Sequence, residues 1–338
     1  MFKIYNMKQK IIHIILYIAV LFVCVSITGY LKPVFKEGMN TFYDNRPSSK
    51  EIYRDDGVEI TELGNYGKCL IINNEIQLCS KDEHIYHEMI VHLPVQYLRN
   101  NIEYVTIVGG GDLMTLREVM KYKTIKKVFM LEISKEIVEL CKDYFSQSEF
   151  EDDDRVEIIY GDANITIDDI IQQYKYKMDM VIVDTTEDNL ENLPIDKPDF
   201  FMKCFMLLQE NGLLVKNGMS FKSLFQSYDD LNTISYNVEI PYFQEKYYFT
   251  IVSKPNNDIR KIEIEDTRWV FFNIKTKYYD INEHNSYLIH EDYTTEYDHP
   301  EENVPGYNIF FENQEKVQQK LNPSSYRNNR DNIFEDLL

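Results

Sequence analysis

Positive charge is the first thing this sequence is short of: 36 Lys and Arg stand against 56 Asp and Glu, for a formal charge of -20 over 338 residues. That balance argues against a protein whose main partner is nucleic acid, because phosphate binding needs Lys and Arg to displace counterions. It permits a cationic substrate, and equally a merely soluble surface. Cysteine is also sparse. Cys24, Cys69, Cys79, Cys141 and Cys204 lack both the CxxC spacing of a zinc site and the density of a disulfide framework, so reduced, mostly structural thiols and no metal are expected. Glycine and alanine are few while Ile, Asn, Lys and Tyr abound, a coding bias that carries no functional signal. There is no internal repeat. What is present, 44% hydrophobic and 14% aromatic residues, suffices for one large core or two smaller ones.

The chain divides by pattern. Residues 1–10 form an N-terminal tail, and Ile11 to Leu31 form an apolar run long enough to cross a bilayer as a helix. No small-x-small cleavage site follows it, so a single-pass membrane anchor is expected over a cleaved signal. Residues 32–50 read as a linker. From 51 to 83, short alternating segments (VEITEL, KCLIINNEIQLC) with Gly64, Gly67 and Asn73-Asn74 at the turns predict a small antiparallel β-domain. The pattern predicts a helix over HEMIVHLPVQYL at the start of the segment 84–296. There, strands that are apolar throughout (VTIVGGGD, KVFMLEI, VEIIYGDA, MVIVDTTED, GLLVKNG) alternate with amphipathic helices. This predicts an α/β Rossmann-like domain with a parallel sheet covered on both faces. Residues 297–338 turn polar and read as a tail.

The strongest local signal is Val105 to Asp112, VTIVGGGD, a buried strand running into Gly109, Gly110 and Gly111 and then a helix. Such a turn lets a nucleotide approach the backbone at the carboxyl end of the first strand; alone it is equally a tight β-to-α turn. Glu132 ends the next strand, where an acidic side chain accepts from ribose hydroxyls. Asp162 ends the third strand and Asp184 the fourth. Carboxylates at successive strand ends are hard to explain as core packing.

YHEMIVHLP, GGGD followed by LREV, LEI, GDA, VIVDTTED, IPYF and KYYDINEH occur in the order and near the spacing of the motifs of the spermidine synthases, the polyamine aminopropyltransferases, and the chain resembles that family from about Glu51 to Tyr293. The resemblance implies an AdoMet-type Rossmann domain after an N-terminal β-domain, and transfer of an aminopropyl group from decarboxylated AdoMet, as co-substrate, to a diamine such as putrescine with release of methylthioadenosine. By position it implies that Asp112 holds the amino end of the donor, Glu132 the ribose, and Asp162 with Ala163 the adenine, beside Gly109, Gly110 and Gly111. Asp184 would be the proton acceptor, and Gln77, Tyr86, His87 and Glu187 would line the amine channel. A homodimer is compatible with it, and an active domain would lie on the cytosolic side of the membrane. Departures are specific. Leu113 and Met114 replace two glycines, putting side chains where the backbone closes on the donor. The loop DTTEDNLENLP has Glu187 for a second aspartate and no Gly-Pro, Asp56 falls where the family has a glutamine, and Phe243 replaces a tyrosine, with Tyr242 just before it. Two other readings fit the same residues: a membrane-anchored, catalytically impaired homologue that binds without turnover, and an AdoMet-dependent small-amine methyltransferase.

Overall fold

A computed structural model describes residues 49–145, 153–185, 198–217, 231–242, 245–264 and 266–289. The expected membrane span at 11–31, the polar tail, Glu187 and Phe243 lie outside the described residues. Among the described residues no helix is long and apolar enough to cross a membrane. Two compact units meet in sequence between Lys81 and Asp82, rather than after Glu83.

The first unit is a meander of four antiparallel strands in the order β1 (Ser49–Asp55), β2 (Val58–Leu63), β3 (Gly67–Ile72) and β4 (Glu75–Cys79). Two of its turns are two-residue hairpins whose residues take positive φ: Asp56 and Gly57 at 34° and 82°, Asn73 and Asn74 at 52° and 67°. That is the chemistry two-residue hairpins select, since the turn twist must match the strands. One expectation fails here. Cys69 and Cys79 are directly opposed on β3 and β4, with Cα atoms 4.0 Å apart, and are joined by a disulfide. Their spacing in the chain resembles neither a metal site nor a disulfide scaffold, and only the strand register brings them together. Among the described residues Cys141 and Cys204 are free and buried.

The second unit opens with helix α1 (Glu83–Val95), after which strands and helices alternate: β5 (Tyr104–Gly109), α2 (Met114–Met120), β6 (Lys127–Glu132), α3 (Lys135–Phe145), β7 (Val156–Tyr160), α4 (Ala163–Tyr174), β8 (Met178–Asp184), α5 (Pro198–Leu207) and β9 (Leu208–Asn217). A hairpin of β10 (Asn232–Ile240) and β11 (Glu245–Ser253) and the short helices α6 (Asp266–Phe272) and α7 (His284–Tyr287) follow. The sheet order is β10-β11-β9-β8-β5-β6-β7. β7 through β9 are parallel, but β11 pairs antiparallel with β9 and β10 with β11, so the sheet is mixed rather than wholly parallel. Alternation along each strand splits the core in two. Val105, Ile107, Val128, Met130, Met180 and Ile182 face one layer with α1 and α2, while Val108, Phe129, Leu131, Val181 and Val183 face the other with α4 and α5.

Two buried carboxylates fix the frame. Glu88 on α1 accepts the amides of Lys277, Tyr278 and Tyr279 at 2.8, 2.8 and 2.9 Å, tying the KYYD segment to the helix. Asp179 accepts the amides of Glu103 and Tyr104 at 2.7 and 2.8 Å, aligning the start of β5 against β8. A buried carboxylate with amide donors is satisfied where an unpaired one would cost several kcal/mol.

Candidate active site

Chain order reverses between β5 and β8: from β5 the strands run outward through β6 to β7, and from β8 the other way. Ligands of open α/β sheets bind at the carboxyl ends of strands flanking such a reversal. Both strands end in the predicted residues, with Gly109 opposite Asp184 in register. The turn must be glycine at its first position, because a Cβ on Gly109, at φ 80°, would stand 2.2 Å from the Asp184 carbonyl. The Gly110 amide instead donates to that carbonyl at 2.9 Å.

The glycine turn lies between two acids. A Cβ on Gly110 would lie 3.4 Å from Asp184 Oδ2, and one on Gly111 would lie 3.0 Å from the Glu132 carboxyl. Asp184 is buried, yet both oxygens are engaged: Tyr86 Oη donates to Oδ1 and Thr115 Oγ1 to Oδ2, each at 2.6 Å. Burial pushes its proton affinity above that of an ordinary aspartate, with Asp112 adding to the effect, and His87 and the two hydroxyls oppose it. Tyr86 packs edge-on to His87 and Tyr247 at 5.0 and 5.2 Å between ring centres, and burial pushes its phenol far above the usual range. It therefore remains a donor. Asn217 at the end of β9 donates to the Thr185 carbonyl at 2.9 Å and to Tyr247 Oη at 3.2 Å, fixing the residue after Asp184.

Asp112 accepts the Met114 amide at 2.7 Å, and its other oxygen lies 3.4 Å from His87 Nε2. Glu132 accepts the Ser134 amide at 2.7 Å, and burial raises its proton affinity too. Asp162 caps α4 by accepting the Asn164 amide at 2.9 Å, and Ala163 directly after it is the first residue of that helix. The Gly161 amide donates to the Glu132 carbonyl at 2.9 Å, which holds the ends of β6 and β7 together. Ile133 and Ile165, beside Glu132 and Asp162, are exposed.

Of the predicted residues, Tyr86, His87, Asp112 and Asp184 form one connected group, with Glu132 across Gly111 from Asp112. Gln77 belongs to the four-stranded unit, where its amide donates to the Glu75 carbonyl at 3.3 Å. Glu187 lies outside the described residues. Leu113 and Met114 are placed differently from the expectation that their side chains intrude on the donor. Both are buried, and Leu113 belongs to the core layer with α1 and α2. Leu113 pays instead in backbone conformation, at φ 67° and ψ 5°, a left-handed geometry costing a branched residue on the order of 1–3 kcal/mol. The residues missed are Thr115, Glu83 and Tyr247. Glu83 had a signal, since it lies four residues before His87 on a helix; Thr115 and Tyr247 reach the site only through the fold.

Residues 83–268 match the family described as "Spermine/spermidine synthase domain". The chain belongs to the spermine/spermidine synthase family. It is 32% identical to a polyamine aminopropyltransferase of Alkaliphilus metalliredigens, over 67% of this chain and 82% of that one. It is 30% identical to the enzyme of that name from Clostridium botulinum at the same coverage. Among solved structures, a spermidine synthase in complex with the transition-state analogue AdoDATO superposes with a TM-score of 0.62 at 22% identity, covering 72% of this chain and 86% of that one. The spermidine synthase of Thermotoga maritima superposes with a TM-score of 0.60 at 21% identity, at the same coverage. Both share the fold of this family member.

Proposed function

We propose that this chain is an aminopropyltransferase, moving the aminopropyl group of decarboxylated AdoMet to a diamine such as putrescine and releasing methylthioadenosine. The observation that carries the reading is Asp184: a buried carboxylate at the strand reversal, held through both oxygens and shifted toward stronger proton affinity. An amine attacks carbon only when unprotonated. A nearby base with raised proton affinity can take the ammonium proton as the lone pair forms the new C–N bond. The C–S bond breaks in the same step, its electron pair stays on sulfur, and the sulfonium charge disappears. No metal or redox partner is called for by that balance.

The remaining roles follow the chemistry of each place. Asp112 suits the donor's ammonium end, Glu132 the ribose hydroxyls, and Asp162 with Ala163 the adenine edge, with Ile133 and Ile165 as apolar neighbours for a flat ring. Tyr86 offers a ring face to diamine methylenes while its hydroxyl orients Asp184. We carry Glu187 as a contributor to the amine side and Ile11–Leu31 as a membrane tether, with the domain on the cytosolic side if it is active.

The full chain, in detergent or as a membrane fraction, is incubated with putrescine and either decarboxylated or carboxylated AdoMet. Methylthioadenosine from the decarboxylated donor supports the reading; adenosylhomocysteine would establish a methyltransferase, and neither product an impaired homologue. Alkylation of intact membranes tests the tether's orientation, since a persistent Cys69–Cys79 bridge belongs to an oxidising compartment and reduced thiols to the cytosol.

A further inference from the structure

Behind the site, a row of charged side chains runs from α2 through α1 to the glycine turn. Arg117 grips Glu83 with both terminal nitrogens, Nη1 to Oε1 at 3.1 Å and Nη2 to Oε2 at 2.9 Å. Its Nε donates to Glu118 Oε1 at 2.8 Å, so the guanidinium is fixed from both sides. Such a planar fork holds a carboxylate in one orientation. Glu83 Oε2 in turn lies 3.0 Å from His87 Nδ1, and the Glu83 backbone carbonyl lies 2.6 Å from the same nitrogen. On the far side of the ring, Nε2 faces Asp112 Oδ2 at 3.4 Å. Glu83 and His87 are both almost fully buried.

Among the described residues, the polar groups facing the ring nitrogens are acceptors: a carbonyl and a carboxylate at Nδ1, a carboxylate at Nε2. A neutral imidazole has one protonated nitrogen and one lone pair, and either tautomer would set that lone pair against an acceptor. We propose that Glu83, clamped by Arg117, is a positioning residue that holds His87 as a doubly protonated cation pointing Nε2–H at Asp112, giving the acidic pocket one fixed positive charge. This rests on the aminopropyl-transfer reading for its catalytic consequence only. The charges facing His87 are Glu83 from its own helix, Asp112 from the turn after β5 and Asp184 beyond Tyr86; Arg117 is the cation behind Glu83. Consistent with this, Asp112 and Glu83 outweigh burial and raise the His87 proton affinity well above its usual value, while His87 and Arg117 hold Glu83 at about 2.

The consequence reaches Asp184. His87 is among the groups that lower its proton affinity, so losing the cation leaves Asp184 more easily protonated. The test uses the full chain with ¹³Cε1-labelled histidine, the His87 signal being assigned by its loss in His87→Asn. In the unaltered protein the signal should keep its protonated position from pH 5.5 to 8.5. In Glu83→Gln it should titrate within that range, and Glu83→Asp should restore at least part of the shift. In the same variant the acid limb of kcat/KM should move to higher pH. A wild-type His87 that titrates near its ordinary value, or a Glu83→Gln titration identical to wild type, overturns the assignment. Should Glu83→Gln fail to fold, the wild-type titration alone decides. Absence of turnover in the wild type would sink the enzyme reading and leave the histidine titration fully informative.

Discussion

On one side of the glycine turn, Asp184 has its two oxygens bound by Tyr86 from α1 and Thr115 from α2, which lie 98 and 69 positions away in the chain. On the other side, Glu132 and Asp162 each accept from a backbone amide two positions ahead. The first arrangement is tertiary and interlocked: a carboxylate whose basicity depends on side chains brought together by the whole fold. The second is local, a property of each strand end and helix start. In the proposed reaction the interlocked side would therefore set proton affinity, whereas the local side would present acceptors to the nucleotide.

The largest expected effect comes from breaking the interlocked side at its centre. Asp184→Asn keeps the size and one acceptor oxygen and removes the base. Turnover should fall by on the order of a hundredfold or more, with methylthioadenosine affinity little changed. Stability should move the other way. The folded-state proton affinity of Asp184 is raised above the unfolded value of 3.8, so its contribution is fully present below that value and is lost as pH rises through the folded one. At pH 8 the ionised carboxylate is thus a cost, and Asp184→Asn should melt at or above the wild-type temperature. A variant that loses activity and also melts well below wild type would mean that Asp184 holds the β8 turn together and is not a strained base.

Next in size is Glu132→Gln, which removes the charge from the local side. Methylthioadenosine binding, measured by calorimetry, should weaken by about 1 to 3 kcal/mol, the range for a hydrogen bond to a charged group. The acid limb of turnover should move only slightly, and to lower pH, because Glu132 donates no hydrogen bond to Asp184 but the two carboxylates repel each other, so removing one charge eases ionisation of the other. Unchanged affinity would remove Glu132 from the nucleotide site.

Thr115→Val sharpens the contrast with less damage, since it is nearly isosteric and removes one donor. A hydrogen bond to a charged group contributes about 1.5 kcal/mol and a pH unit corresponds to about 1.4 kcal/mol. The acid limb of kcat/KM should accordingly move up by about one pH unit, with the plateau little altered. Thr115→Ser should restore the wild-type limb. A limb that stays in place with valine would show that Tyr86 alone tunes the base.

The same contrast explains what could be read from the sequence. The strand ends carrying Glu132, Asp162 and Asp184, the glycine turn and the antiparallel meander rest on local pattern, and local pattern is visible in a linear chain. The β10–β11 hairpin is not legible in the same way, because the pairing of β11 with β9, and of β10 with β11 beyond it, depends on the edge the parallel strands leave open. Thr115, the Arg117 clamp on Glu83 and the Cys69–Cys79 bridge are not legible for the related reason that each contact is made by strand register or helix packing, although Glu83 itself stands at helical spacing from His87. Leu113 was misread in direction: its departure from glycine was visible, but that its side chain turns into the core while its backbone takes the strain was not.

The smallest effect belongs to Asp162, where the local side has a structural duty as well as a proposed binding one. One carboxylate oxygen caps α4 through the Asn164 amide, and in the proposed complex the other would accept from the amino group of adenine. Asparagine caps a helix about as well as aspartate, so Asp162→Asn should leave the melting temperature within about 0.5 kcal/mol of wild type in equivalent stability. Its single oxygen can serve the cap or the adenine but not both, and its NH2 would face the amino group donor to donor. Methylthioadenosine should therefore bind about 0.5 to 1.5 kcal/mol more weakly, a smaller loss than with Glu132→Gln because one donor, the adenine amino group, is affected where Glu132 accepts from ribose hydroxyls in the plural. Asp162→Ala separates the two duties: it should lose about 1 kcal/mol of stability with the cap in addition to the affinity. If Asp162→Asn binds methylthioadenosine as tightly as wild type while Asp162→Ala is destabilised, the carboxylate is a helix cap and the adenine contact must come from another residue on that rim.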